Sequence, residues 1–288
     1  MEASHLPGAA GIRTILHPTD FSEGSDNAFA HALRLAVAAS AQLELLHAEP
    51  DNDVAGYQHY PKVCDTLVRW EVLPPGAGEA DLERLGLRID RVLRVGDPPL
   101  RSILEELDAH HADLMVLATH GREGLDRMYS GGVAEPASRH GGVRTLFLPP
   151  GVRGFVPFDD GVVTLRRILI PIDHLPDPEL AVAAAVMMAR TLGVENLQIS
   201  TLYAGSAANM PKVGLPTQPG WVARRWQEEG APVEAILDTA RAWQADLIVM
   251  SSRGHDSVLD TLRGSTVERV LRHAPCPVLV VPDPKRPS

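Results

Sequence analysis

An α/β fold, built as two tandem open parallel-sheet domains of five strands each with helices on both faces, is predicted by three observations. The chain has 288 residues, a length that suits about two domains. Short marker segments recur in the same order: RTILHPTD at 13–20 and RRILIPID at 166–173, ADLMVL at 112–117 and ADLIVM at 245–250, GGVAE at 131–135 and GSTVE at 264–268. Within each copy, short apolar runs alternate with amphipathic stretches, the pattern of parallel strands joined by crossover helices.

In the first copy, Thr14 to His17 reads as the first strand. Ser22 or Ser25 can cap the following helix, whose inner face is Ala28, Ala32, Leu35 and Ala36. Gln42 to His47 and Leu87 to Val95 read as the second and third strands, with helical turns between them around 62–70 and 78–85. Pro99 to His110 follows as a helix with Leu100, Ile103, Leu104 and Leu107 at apolar spacing. Leu114 to Ala118 is the fourth strand, Gly132 to His140 starts a helix, and Val143 to Leu148 is the fifth strand.

The second copy repeats the plan. Its strands are Arg167 to Ile172, Leu197 to Tyr203, Trp221 to Glu228, Leu247 to Ser251 and Val278 to Val281. Its helices are Glu179 to Leu192, Pro232 to Gln244 and Ser265 to Arg272. Asp20 and Asp173 are 153 residues apart, but Gly121 and Gly254, like Gly131 and Gly264, are 133 apart. The second copy is therefore 20 residues shorter. Gly96 lies 76 residues after Asp20 and Gly230 lies 57 after Asp173, which puts 19 of the missing residues in the middle of the domain. The prolines and glycines between Tyr203 and Trp221 leave little room for a helix, so the second copy reads as lacking a helix between its second and third strands. Domains are expected at 1–150 and 164–288, joined through the Pro- and Gly-containing stretch 149–165.

Composition narrows the function. A formal charge of −10, from 27 basic and 37 acidic side chains, repels a phosphate backbone, so no nucleic-acid partner is expected. No apolar run nears the roughly 20 residues of a spanning helix, and no membrane partner is expected. MEASHLPGAAG lacks the basic and apolar regions of a secretory signal, and two cysteines make no disulfide framework. A cytoplasmic location is the expectation.

The sharpest local feature comes after the fourth strand of each copy. The second copy reads Ser251-Ser252-Arg253-Gly254, nine residues, then Gly264-Ser265; the first reads Ala118-Thr119-His120-Gly121, nine residues, then Gly131-Gly132. Glycine past a parallel strand lets backbone approach a ligand closely. Glycine at a helix start exposes amide N–H groups that suit an anionic phosphate, and ligands of open parallel sheets bind at the carboxyl ends of the strands. The same residues also suit a plain strand–loop–helix connection.

This arrangement resembles the universal stress protein family, whose adenine-nucleotide motif is written G-x2-G-x9-G-(S/T). The resemblance covers nearly the whole chain, twice, from ILHPTDFSEGS to GSTVERVLRHAPCPVLVV, and implies a Rossmann-like tandem member. Carried over by position, the motif falls on Ser251, Gly254, Gly264 and Ser265 in the second copy, where three of four positions match, and on Ala118, Gly121, Gly131 and Gly132 in the first, where two match. The resemblance implies a nucleotide site at Pro171, Ile172, Asp173, Met250, Ser251, Arg253, Gly254, Gly264, Ser265 and Thr266. It implies a weaker one at Pro18, Thr19, Asp20, His120, Gly121, Gly131 and Gly132. Asp20 and Asp173 take the family's acidic position beside the nucleotide; each also reads as a capping or turn aspartate.

The implied cofactor is ATP, with Mg2+ as an optional companion. The resemblance also implies pairing of the apolar final strands, here between the two halves of one chain, with a homodimer as a further partner. The expected role is a nucleotide-responsive stress regulator of the cytoplasm; a nucleotide-free scaffold or chaperone-like protein is the alternative. No catalytic residue is assigned, because neither a Gly-x-Ser-x-Gly elbow nor a Walker-type lysine is found; weak ATP hydrolysis stays open. No metal ligand is assigned either: His110 and His111 read as solvated residues at a helix end. Cys276 reads as a buried small residue.

Overall fold

The computed structural model describes residues 11–49, 59–119, 143–253 and 266–283. The first half contains β1 (Thr14–Pro18), α1 (Glu23–Ala39), β2 (Gln42–Glu49), α2 (Val63–Arg69), α3 (Glu79–Arg84), β3 (Arg88–Val95), α4 (Pro99–His110), β4 (Leu114–Ala118) and β5 (Arg144–Leu148). The second contains β6 (Arg167–Ile172), α5 (Pro178–Thr191), β7 (Leu197–Ala204), β8 (Trp221–Glu228), α6 (Pro232–Trp243), β9 (Leu247–Arg253), α7 (Thr266–His273) and β10 (Val278–Asp283). Between β7 and β8 there is only a single 3-10 turn, Ala207–Asn209, where the first half carries α2 and α3. The helix expected from Gly132 to His140 lies outside the described residues, as does the expected start of α7 at Ser265. Among the described residues, no helix is long and apolar enough to cross a membrane.

Local chemistry sets the helix ends. Ser22, not Ser25, is the N-cap of α1: its side chain accepts from the Ser25 backbone N–H, while Ser25 lies inside the helix. Ser40, His111 and Gln244 end α1, α4 and α6 in the left-handed conformation that closes a helix without proline. Pro99, Pro178 and Pro232 each open a helix, where a missing N–H costs nothing.

All ten strands form one sheet in the order β3-β2-β1-β4-β5-β10-β9-β6-β7-β8. Neighbours are parallel within each half. The single antiparallel seam joins β5 to β10, with Phe147 opposite Val278, Leu146 opposite Leu279 and Thr145 opposite Val280. The apolar final strands are therefore the centre of the molecule, and the polar strands β3 and β8 are its edges. Apolar strands with nothing beside them would invite pairing with other chains; here each is the other's partner.

Both cores run across the seam. One face of the sheet packs α1, α2 and α5 in a single buried cluster that includes residues of both halves, among them Phe29, Leu146, Ile168, Ala185 and Leu279. The opposite face packs α4, α6 and α7 against Leu16, Met115, Phe147, Ile248 and Val278.

The connection 149–165 is also built into the first core. Phe155, Val156 and Leu165 are fully buried. Buried His31 on α1 accepts the Phe155 and Val156 N–H groups at Nε2, 3.0 and 3.2 Å away, and donates from Nδ1 to the Asn27 carbonyl at 2.8 Å. Trp70 donates from Nε1 to the Phe158 carbonyl at 2.9 Å. Gly154 and Gly161 have positive φ, and a Cβ on either would fall within 2.3 Å of His31 or 2.2 Å of Trp70. Glycine in this connection thus serves close approach and turn geometry together.

Burial pushes the His31 imidazole down from 6.5 to about 4, against the opposing pull of its hydrogen bond to Asn27. Burial does the same to His17 on β1, down to about 4. In the unfolded chain each takes a proton near pH 6.5, whereas in the fold each resists until about 4. The neutral rings thus favour folding above about pH 6.5, and that contribution is lost as the pH falls. Urea midpoints between about pH 7 and pH 5 should show stability dropping by roughly 2 kcal/mol per histidine. His31→Phe should remove part of that slope and lower stability at neutral pH by about 2–4 kcal/mol, by orphaning two buried N–H groups.

The continuous cores predict one cooperative unfolding transition. Calorimetric and van't Hoff enthalpies should agree for the whole chain. Leu279→Asp at the seam should lower the midpoint of both halves together, as followed by Trp70 and Trp226 fluorescence in single-tryptophan variants.

Candidate nucleotide site at the strand ends

Each half has a switch point in its sheet. β1 lies between β2 and β4, and β6 between β7 and β9, so the connections leave these strands in opposite directions. At both places the ladder to the fourth strand of the half is short. β1 pairs with β4 only at Ile15–Leu114 and Leu16–Met115, and β6 with β9 only at Ile168–Leu247 and Leu169–Ile248. Beyond those pairs the strands share no ladder toward their carboxyl ends, which makes the crevice where ligands of open α/β sheets bind.

In the second half this crevice gathers Pro171 and Ile172 at the end of β6, the exposed Asp173 just after it, and Met250, Ser251 and Arg253 at the end of β9. Thr266, exposed, opens α7. Gly254, Gly264 and Ser265 lie outside the described residues. Asp173 accepts the N–H of His174 at 2.7 Å. The capping of α5 falls to another residue, Asp177, whose carboxylate accepts the Glu179 N–H at 3.0 Å. His174 is drawn aside to the Asn209 carbonyl, 2.7 Å from Nε2, and lies edge-on to Tyr203.

In the first half the corresponding crevice contains Pro18, Thr19 and Asp20, with Thr119 after β4. His120, Gly121, Gly131 and Gly132 lie outside the described residues. Asp20 is engaged in the turn: its Oδ1 accepts the Ser22 N–H at 3.1 Å, the Ser22 hydroxyl at 2.6 Å and the Ser25 hydroxyl at 2.7 Å. These contacts belong to the turn before α1, whose N-cap is Ser22. Phe21, at φ 57°, lies tilted against His47 at 4.2 Å between ring centres and meets Tyr60 edge-on at 5.4 Å. Between the switch-point strands, His17 reaches from β1 to the Val116 carbonyl on β4, 2.9 Å from Nδ1. Among the described residues, this end of the first half brings Phe21, His47 and Tyr60 together.

A model of the universal stress protein family matches residues 11–147 and again residues 164–282. The chain belongs to the universal stress protein family. A universal stress protein from Methanocaldococcus jannaschii is 30% identical over 148 residues, covering 42% of this chain and 84% of the relative. One from Thermus aquaticus is 49% identical over 53 residues, covering 18% of this chain and 39% of the relative. The crystal structure of a universal stress protein from Archaeoglobus fulgidus covers 93% of this chain and 97% of its own at 21% identity, with a TM-score of 0.56. That likeness extends the shared fold across both halves.

One feature of this universal stress protein went unread in its sequence. His110 is not simply solvated: its Nδ1 contacts Glu44 on β2 and Glu106 on α4. The signal was a charged residue on each inner face. Glu44 interrupts the apolar run of β2, and Glu106 stands in the apolar stripe of α4 between Ile103 and Leu107.

The aspartates separate in a stability measurement. Asp20→Ala removes the acceptor for three groups at the start of α1 and should cost about 1–2 kcal/mol in urea unfolding. Asp173→Ala, with Asp177 still capping α5, should shift the unfolding midpoint by less than about 0.5 kcal/mol.

Proposed function

We propose that this protein is a nucleotide-responsive stress regulator of the cytoplasm that binds ATP chiefly in its second half and is not a dedicated enzyme. The observation that carries this reading is the division of labour between Asp173 and Asp177. In the second half the acidic residue at the switch point is not used as the helix cap, whereas Asp20 in the first half is spent on three hydrogen bonds of its own turn. The motif supports the same assignment: Gly254, Gly264 and Ser265 match, while Gly132 lacks the hydroxyl.

In this reading Pro171, Ile172 and Asp173 hold the nucleoside side of the ligand. Met250, Ser251 and Arg253 line the other strand, and Gly254, Gly264, Ser265 and Thr266 offer N–H and hydroxyl donors to phosphate. The ligand is ATP, with Mg2+ as an optional companion. The first half, at Pro18, Thr19, Asp20, His120, Gly121, Gly131 and Gly132, binds nucleotide weakly or not at all. The absence of dedicated catalysis fits the cysteines. Burial pushes the Cys276 thiol up to about 12 and also raises Cys64, away from the thiolate a nucleophile needs. Both thiols are unbridged, as a reducing compartment allows.

Titration of the whole chain with a fluorescent ATP analogue and Mg2+ tests this. One equivalent should bind. Gly264→Val or Asp173→Ala should weaken binding at least about 10-fold, equivalent to about 1.4 kcal/mol, while Gly131→Val leaves it within about twofold. Saturable binding that Gly131→Val removes and Gly264→Val does not would assign the nucleotide to the wrong half.

A further inference from the structure

Glu44, Glu106 and His110 bring two carboxylate oxygens and one imidazole nitrogen within 4.8 Å of one another. Both glutamate side chains are 1% exposed, while the histidine is 48% exposed. Helical spacing sets Glu106 and His110 one turn apart on the same face of α4, and β2 supplies Glu44 beneath them.

The histidine cannot satisfy both acids. Its Nδ1 carries at most one hydrogen, directed in the ring plane toward a single acceptor. That hydrogen bond goes to Glu44 Oε1, leaving Glu106 Oε1 facing the same nitrogen at 3.0 Å. Glu106 Oε1 is buried and has no hydrogen-bond partner, and Glu44 Oε2 is in the same condition. A divalent cation at the centre would meet all three donor atoms at once.

The surroundings suit that role. Arg94 grips the far oxygen of Glu106, with Nη2 at 2.6 Å and Nε at 3.2 Å from Oε2. This fixes the carboxylate so that Oε1 points at His110, as an outer partner does for a metal ligand. The half-exposed imidazole gives an ion a way in from solvent.

The second half shows that the fold does not require this cluster. By strand register and helix position, Glu44, Arg94, Glu106 and His110 correspond to Ser200, Glu228, Thr239 and Trp243. There Trp243 packs edge-on against Trp226 at 4.7 Å, so aromatic rings stand where the first half has its charged cluster.

We propose that Glu44, Glu106 and His110 form a binding site for a first-row divalent transition metal, of the zinc class, in the first half. Two carboxylates and one imidazole form a mixed oxygen and nitrogen set that zinc accepts at about 2.0–2.2 Å. The same set is a poor match for Mg2+, which prefers oxygen ligands alone. The site joins the amino-terminal part of β2 to the last turn of α4 in the first half, away from the second-half strand ends proposed for nucleotide, so it does not depend on that assignment.

The test uses the whole chain, stripped with a chelator and titrated with Zn2+ against a chromophoric competitor. One tight equivalent should bind and should persist in millimolar Mg2+. Glu44→Gln, Glu106→Gln and His110→Ala should each weaken it at least about 10-fold, and His111→Ala should leave it within about twofold. Co2+ substitution gives a readout on the unaltered protein: ligand-field absorption with a nitrogen ligand, abolished by His110→Ala. Folding of each variant is checked by far-UV circular dichroism. Failure of the folded wild type to bind one Zn2+ overturns the proposal, as does binding insensitive to His110→Ala and Glu44→Gln.

Discussion

The antiparallel seam between β5 and β10 is the constraint from which the rest of the architecture follows. Pairing Phe147 with Val278 and Leu146 with Leu279 merges two parallel five-stranded sheets into one of ten strands. It also reverses strand direction halfway across. The carboxyl ends of the first half's strands therefore point to one end of the sheet and those of the second half to the other. The two switch points cannot combine into a shared crevice, and each half must make its own site or go without. The amino-end cluster of Glu44, Glu106 and His110 lies toward the same end of the sheet as Asp173, although many strands separate them.

The halves use the same framework to different ends. In the first, Asp20 accepts hydrogen bonds within its own turn, Phe21 lies against His47 of β2, His17 bridges the switch-point strands, and a metal-type donor set joins β2 to α4. In the second, a separate cap leaves Asp173 exposed, and tryptophans replace the charged cluster. Each half contributes five strands to the sheet; the residues at strand ends and helix faces differ between them. The connection 149–165 belongs with the first half, because His31 and Trp70 take up its backbone groups.

Much of this was legible in the sequence. The strands follow from short apolar runs, and the order of the markers fixes which strand corresponds to which. The short middle of the second half followed from comparing the Asp20–Gly96 and Asp173–Gly230 intervals. Three things were harder to read. Choosing Ser22 over Ser25 as the cap depends on backbone angles that two neighbouring serines do not encode separately. The burial of the 149–165 connection depends on His31, more than 100 residues away, whose spacing on α1 looks like any inner-face residue. The Glu44–Glu106–His110 cluster joins a strand to a helix although Glu106 lies 62 positions after Glu44. Only the charged interruptions of two apolar faces mark it. Long-range pairing of polar groups leaves little periodic trace, unlike apolar packing.

The seam has a consequence for how the molecule assembles. β5 ends at Leu148 and its partner β10 begins at Val278. During synthesis from the amino end, the first half can form its parallel sheet while β5 has no neighbour on its open side. Contacts this distant in sequence slow folding, and an unpaired apolar edge is open to association for that interval. The first half of the chain is thus finished before the second can protect it, and the kinetic hazard in making this protein lies at its eventual centre.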